Sequence, residues 1–281
     1  MDSNAAEIAR GERFQFGQNW SQFLPAIDEE RIQQAETSLK QMLEVESLDG
    51  KTFLDIGSGS GLFSLAARRL GARVHSFDFD PKSVYCTTEL RKNYFREDDS
   101  WQIQEGSVLD GEFMKSLAQY DIVYSWGVLH HTGDLWTALE NAQERVAPGG
   151  KFFIALYNDT GSQSARWVWI KKTYNGLPGI LRMPFAALVM LPQELKHLVA
   201  SIVLLKPGRY LDSWTKYRKN RGMTKWRDIV DWVGGYPYEV STPDEIFDFA
   251  RARGFLLTKL KCGRVGLGCN QFVFVKSNRL P

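Results

Sequence analysis

Between residues 26 and 46, apolar side chains recur at helical spacing (Ile32, Ala35, Leu39, Met42, Leu43), which predicts a first long helix. The pattern then shortens and alternates. The run "TFLDI" stops at a glycine and reads as a strand, and "LFSLAARRL" after it reads as an amphipathic helix closed by Gly71. "ARVHSFDF" is a second strand, followed by Asp80 and Pro81 as the cap and first-turn proline of a helix over 81–93. "SWQIQEG" and "YDIVYSW" are the third and fourth strands. A helix over 134–146 and the turn "APGG" lead to the fifth, "KFFIALY". Strand–helix alternation at this spacing predicts a parallel sheet covered on both faces.

The alternation stops after Tyr157 and resumes near Ser241. There "STPDEIFDFARARG" is a helix with Thr242 as cap, Pro243 in the first turn, Glu245 completing a capping box and Gly254 ending it. "FLLTKLK" and "NQFVFVK" then read as an antiparallel pair. The expectation is an open, mostly parallel α/β sheet of seven strands with the last antiparallel. Residues 1–49 would form a helical N-terminal lid, 50–159 and 241–281 the sheet domain, and 160–240 a helical insertion after the fifth strand.

Charge and cysteine usage narrow the setting. The net charge of +2 points to no nucleic-acid or membrane partner by itself, but it is unevenly spread. Residues 1–50 carry 4 basic against 10 acidic side chains, and residues 160–240 carry 13 against 5. Cys86, Cys262 and Cys269 have no metal-ligand spacing, so no metal is expected, and they suit a reducing compartment. The polar start "MDSNAAEIARGERF" does not read as a signal peptide, so a cytoplasmic protein is expected. The apolar segment "FAALVMLPQELKHLVASIVLL" is cut by Pro192, Gln193, Glu194, Lys196 and His197, and each half is too short to span a bilayer. It is read as core, with contact to a membrane surface or a lipid tail as the alternative.

The chemistry begins at "LDIGSGSG". Glycines at the end of the first strand let a ligand approach the backbone, where the next helix presents its N–H groups. Gly57, Gly59 and Gly61 form G-x-G-x-G, and Leu62 stands where a dinucleotide fingerprint needs its third glycine. Asp55 at the strand end would repel a pyrophosphate and attract an ammonium group. Asp78 ends the second strand, where a carboxylate can accept from both hydroxyls of a ribose. One ligand with a cationic amino-acid end and a ribose end satisfies both acids.

With "YDIVYSWGVLHHTGD" and "RVAPGGKFFI" added, the chain resembles the class I S-adenosylmethionine-dependent methyltransferases. The closer likeness is to the ubiquinone-biosynthesis type of small-molecule methylase. The resemblance covers residues 50–158 and, by topology, the C-terminal helix and strand pair; it leaves out 160–240. It implies a Rossmann-like methyltransferase fold with S-adenosylmethionine as cofactor. Gly57, Ser58, Gly59 and Gly61 would lie against the methionine part, Asp55 would orient its amino group, Asp78 would hold the ribose and Phe79 would pack on adenine. Many members place an Asp after the third strand; here Ser107 stands there, with the Val108 backbone as a substitute. Ser125 and Trp126, ending the fourth strand, complete the cofactor set.

Methyl transfer needs an aligned acceptor and, for a hydroxyl or ammonium, a base. His130 and His131 follow the fourth strand and are the candidates, with the choice between them open. Tyr157 and Asn158 at the end of the fifth strand, and Trp20 in the aromatic segment "RFQFGQNWSQFL", are candidate acceptor contacts. In related enzymes the N-terminal region folds over the cofactor. The insertion interleaves tryptophans with basic residues in "SWTKYRKNRGMTKWRD", including Lys216, Arg218, Lys219 and Arg221, which suits an anionic or ring-bearing acceptor; the alternative is a solvated helical face with its aromatics in the core. The reading is O- or N-methylation of a small-molecule, lipid-like or sugar-type acceptor. RNA, a peptide or a protein as acceptor, and a binding protein without catalysis, remain as alternatives.

Overall fold

The computed structural model describes residues 3–96, 98–206, 208–215, 217, 224–263 and 268–277. β1 (Thr52–Ile56), β2 (Arg73–Asp78), β3 (Trp101–Glu105), β4 (Tyr120–Trp126), β5 (Val146–Tyr157), β6 (Phe255–Lys261) and β7 (Cys269–Lys276) form one sheet in the order β3-β2-β1-β4-β5-β7-β6. β7 is antiparallel to β5 and β6, and the remaining pairs are parallel. The predicted seven-stranded sheet therefore forms. Its order reverses between β1 and β4, so the loops after those strands diverge and leave a crevice at their carboxyl ends.

Alternation along the strands builds two cores. Phe53, Ile122, Tyr124, Phe153 and Val273 face α3 (Glu29–Leu43), α4 (Leu62–Arg69) and α5 (Pro81–Tyr94). Leu54, Ile56, Val123, Phe152, Ile154 and Phe274 face the opposite way, onto α6 (Gly111–Ser116), α7 (Leu135–Gln143) and α12 (Pro243–Arg251). The local signals act as read: Asp80 caps α5 by accepting from the Lys82 N–H at 2.9 Å, and Thr242 and Glu245 form the capping box of α12.

The N-terminal 49 residues divide. α1 (Ser3–Ala9) and α2 (Phe16–Phe23) lie over the crevice, whereas α3 buries Ile32 and Leu39 in the sheet core. The insertion is helical, as expected: α8 (Ser162–Gly176), α9 (Gly179–Val203), α10 (Gly208–Thr215) and α11 (Lys225–Gly234). α8, α9 and α11 bury Trp167, Ile170, Met190, Ile229 and Val233 in a third core. Lys216, Arg218, Lys219 and Arg221 lie outside the described residues.

Candidate functional site

β1 delivers Asp55 to the crevice and then turns through glycines. Gly57 and Gly59 have φ of +77° and +56°, which L side chains rarely adopt. A Cβ on Gly57 would stand 2.3 Å from a Val128 methyl carbon, so the loop after β1 can touch the loop after β4 only without a side chain. A Cβ on Gly59 would stand 3.1 Å from the Trp20 indole, which packs against this turn. Beneath Trp20 is a cavity of about 330 Å³. Its floor is the glycine turn with Asp55 and Asp78, its walls are Phe79, Ser107, Val108, Trp126, Val128 and His131, and its roof is Phe14, Phe16, Trp20 and Phe23.

The roof is tied down by polar contacts. The Gly17 N–H donates to an Asp80 carboxylate oxygen at 2.9 Å, and the Asn4 amide donates to the Phe79 carbonyl at 3.1 Å. Arg13 donates to the His131 carbonyl at 3.0 Å, pairs with Glu7 at 2.6 Å and lies 4.8 Å above the Phe79 ring. Asn4 and Arg13 line the cavity, and sequence reasoning missed both. The neighbouring aromatics of "RFQFG" were the only signal near Arg13, and nothing marked Asn4.

The two acids differ in what holds them. Asp78 accepts from the Gly59 N–H on one oxygen and the Asp80 N–H on the other, each at 2.9 Å. A carboxylate has about four acceptor positions, so one remains on each oxygen for a ligand hydroxyl. Asp55 is 2% exposed and accepts from the Ser64 hydroxyl, which in turn meets Ser76 at 2.7 Å. Burial raises Asp55 to about 7, partly offset by Ser64 and reinforced by Asp78. Burial also raises Asp78 to about 6, against the hydrogen bonds from the Asp80 and Gly59 backbone. Tyr124, whose buried hydroxyl has no partner among the described residues, also lines the cavity and was not singled out from the sequence.

The structure separates the histidines. His130 is fully buried behind the wall, its Nδ1 accepting from the Tyr157 N–H at 3.1 Å and its ring 4.0 Å from the Tyr157 ring. His131 lines the cavity. Its Nδ1–H donates to the Pro237 carbonyl at 2.5 Å, which leaves Nε2 with a free lone pair, and its ring lies 4.8 Å from Phe16. Burial pushes His131 down to about 3; Lys171 and Arg13 add to this and the Pro237 carbonyl opposes it. The imidazole is therefore neutral near pH 7. An acid limb from this histidine would fall near pH 3, not near neutrality as the unshifted residue would give.

Of the residues singled out from the sequence, Trp20, Asp55, Gly57, Ser58, Gly59, Asp78, Phe79, Ser107, Val108, Trp126 and His131 meet at this cavity. Gly61, Ser125, His130, Tyr157 and Asn158 are not among the lining residues. Gly61 opens α4 against Thr87, and Ser125 donates to the Ile56 carbonyl at 3.0 Å. Asn158 accepts from the Asn270 amide at 2.8 Å, and Tyr157 packs with Trp232 and Tyr238 in the third core. Trp20 sits at the glycine turn, the end expected to take the cofactor rather than the acceptor. No described residue of 160–240 lines the cavity. The insertion reaches the site from behind, through the Pro237 carbonyl and through Glu239, which accepts from the Gly133 and Leu135 N–H groups at 3.0 Å. Two of its lysines face aromatic rings of their own chain. Lys171 lies 4.8 Å from the Trp232 and Tyr238 rings, and Lys225 lies 4.5 Å from Trp214 while paired with Glu194.

A family described as "Methyltransferase domain" matches residues 27–184, more than half of the chain. The chain belongs to this methyltransferase family. It is 34% identical over 120 residues to a ubiquinone biosynthesis O-methyltransferase of Methylobacterium sp. (strain 4-46), covering 41% of this chain and 44% of that protein. It is 28% identical over 144 residues to a ribosomal protein L11 methyltransferase of Methylococcus capsulatus (strain ATCC 33009 / NCIMB 11132 / Bath), covering 50% of this chain and 45% of the relative. The chain thus spans about half the length of the curated relatives it matches. Among solved structures, magnesium protoporphyrin IX methyltransferase (ChlM) from Synechocystis PCC 6803 with bound SAH superposes with a TM-score of 0.51 at 13% identity, over 88% of this chain and 83% of that one. A likeness at that identity shows the shared fold.

The methyltransferase family uses S-adenosylmethionine, and the cavity fits that cofactor on its own residues. A buried carboxylate with two acceptor positions left suits the ribose diol, and a second suits the ammonium of the methionine end. Both carboxyls are raised by burial, so the sign of the pH dependence follows. Protonated, they cost nothing when buried; their stabilising effect is complete below their unfolded values near 4 and is lost as pH rises through 6 to 7. A cationic ligand favours their ionised forms. Cofactor affinity should therefore rise tenfold or more between about pH 5.5 and 7.5, while the melting temperature of the free methyltransferase should fall from about pH 4 and level off above about pH 7. Titration calorimetry in a pH series measures the first and scanning calorimetry the second. An affinity flat across this range would remove both acids from the cofactor site.

Proposed function

We propose that this methyltransferase moves the methyl group of S-adenosylmethionine to an oxygen or nitrogen of a small, largely apolar acceptor. The observation that carries the reading is the aromatic roof: Phe14, Phe16, Trp20 and Phe23 lie over the cavity that suits the cofactor, so an acceptor must meet the methyl group beneath apolar rings. When bound, the cofactor supplies a methyl group made electrophilic by its sulfonium. Asp55 and Asp78 hold its two ends, the glycine turn lets it approach the backbone, and Phe79 keeps one face for the base while Arg13 covers the other. Phe14, Phe16, Trp20 and Phe23 exclude water from the displacement. His131 accepts the acceptor's proton at Nε2, held in that tautomer by the Pro237 carbonyl. His130 positions this arrangement from behind and touches no reactant.

A hydroxyl acceptor gives His131 the most to do, because the alcohol must lose its proton as the new bond forms. The basic insertion and the ribosomal-protein relative favour a second reading, a macromolecular acceptor docked outside the roof. The two are separated by incubating the methyltransferase with methyl-labelled cofactor and fractionated cell extract. Label should appear in the small-molecule or lipid fraction. Label confined to RNA or protein would overturn the proposal, and label in no fraction would leave a cofactor-binding protein without catalysis.

A further inference from the structure

A surface helix ordinarily turns one apolar stripe inward and a polar face to water. α9 does not. Its inward stripe, centred on Ala186 and Met190, packs in the third core. On the outside, Ile180, Pro184, Leu188, Leu191, Leu195, Val199 and Ile202 follow one another at spacings of three and four, a second apolar stripe over the full helix. Ile180 is 85% exposed, Leu188 67% and Val199 56%, and the corner after the helix adds Leu205 at 89%. At 1.5 Å per residue the stripe runs for about 33 Å, beyond the isolated apolar patches that soluble surfaces carry.

The charge around the stripe identifies its partner. From 179 to 215 the chain carries Arg182, Lys196, Lys206 and Arg209 against Glu194 and Asp212. Glu194 is taken by Lys225 at 2.7 Å and by the Trp214 indole N–H at 3.2 Å, and Asp212 is also partnered. Lys196, Lys206 and Arg209 are exposed, and residues 160–240 as a whole carry 13 basic against 5 acidic side chains. A second copy docked about a two-fold axis would set this basic rim against its own image. An anionic lipid surface instead takes the apolar stripe into its acyl boundary and the basic rim at its headgroups. Pro184 and Pro192 lie inside α9 without ending it, so the two halves expected from the sequence to be too short to span form one helix of 25 residues, long and apolar enough to cross a bilayer; crossing would strip Ala186 and Met190 from the third core. We propose that α9 lies in the plane of an anionic membrane surface as an interfacial helix, its outer stripe buried and Lys196, Lys206 and Arg209 against lipid headgroups.

Flotation of the full chain with vesicles tests this. Vesicles of phosphatidylcholine with phosphatidylglycerol should carry the protein upward; phosphatidylcholine alone should carry far less, and added salt should weaken the binding. The variant Leu188→Glu/Leu195→Glu/Val199→Glu should lower the partition coefficient by about tenfold per replaced residue, with the circular dichroism spectrum unchanged. Neutralising Lys196, Lys206 and Arg209 to Gln should cost about fivefold each. Failure of the unaltered chain to bind anionic vesicles, or binding that the glutamate variant keeps, would overturn the proposal. A dimer that the glutamate variant splits, with no vesicle binding, would assign the stripe to a second copy instead. Vesicle binding needs neither cofactor nor acceptor, so its failure would leave the proposed reaction standing.

Discussion

His131→Ala should lower turnover by about 10²-fold while leaving cofactor affinity nearly intact. The ring has one nitrogen committed to the Pro237 carbonyl and the other free, and it lines the cavity that would hold the acceptor. Loss of a positioned base costs about 10²–10⁴-fold, and the lower end applies because a group held down to about 3 is a weak proton acceptor. The same low value makes the ring neutral throughout the working range, so the rate should show no histidine limb around neutrality. An acceptor whose hydroxyl ionises easily should lose much less in the variant than one whose hydroxyl does not, a contrast that a merely structural role would not produce. His130→Ala should act mainly on stability, because its Nδ1 satisfies the Tyr157 N–H inside the fold. Steady-state kinetics of both variants decide the matter. Full activity in His131→Ala would leave alignment alone as the mechanism, which an amine acceptor would tolerate.

Asp78→Ala should weaken S-adenosylmethionine binding by about 10²-fold or more. Hydrogen bonds to a charged group contribute about 1.5–3 kcal/mol each, two remain available on this carboxylate, and every 1.4 kcal/mol is tenfold in affinity. The variant also frees the Gly59 and Asp80 N–H groups that Asp78 now accepts, so the glycine turn is loosened as well. Asp78→Asn separates the two effects: it keeps the shape and one acceptor oxygen, so it should hold the fold closer to the original while still losing a ribose contact. Calorimetry on both variants, with melting temperatures alongside, gives the answer. Unchanged affinity in Asp78→Asn together with unchanged affinity in Asp78→Ala would take this carboxylate out of the site.

How far each feature was legible depends on how far its cause lies along the chain. The glycine turn and its two acids sit within a strand, a loop and the next strand, so Asp55, Gly57, Gly59 and Asp78 could be read in place. The histidine pair was legible as a pair only. What separates its members is a carbonyl at Pro237, 106 residues away, and no local pattern encodes that contact. Arg13 closes the roof on the His131 carbonyl across 118 residues and was missed for the same reason. The interleaved lysines and aromatics of the insertion suggested a surface for an anionic acceptor. In the fold, Lys171 faces the Trp232 ring because α8 packs against α11, and Lys225 faces the Trp214 ring because α10 and α11 both pack against α9, whereas Lys216, Arg218, Lys219 and Arg221 lie outside the described residues.

The amino-acid pattern by itself determined the strand and helix succession, the seven-stranded sheet, the capped ends of α5 and α12, and the glycine–acid motif at the crevice. These follow from periodicity and from turn and cap chemistry, which act over a few residues. Tertiary structure alone decided that His131 faces the cavity and His130 does not, that Trp20 lies on Gly59, that the described residues of the insertion support the wall without lining it, and that α9 keeps an apolar stripe on its outer side. Each of these is set by which surfaces remain once distant elements have packed, and burial of that kind depends on the whole fold.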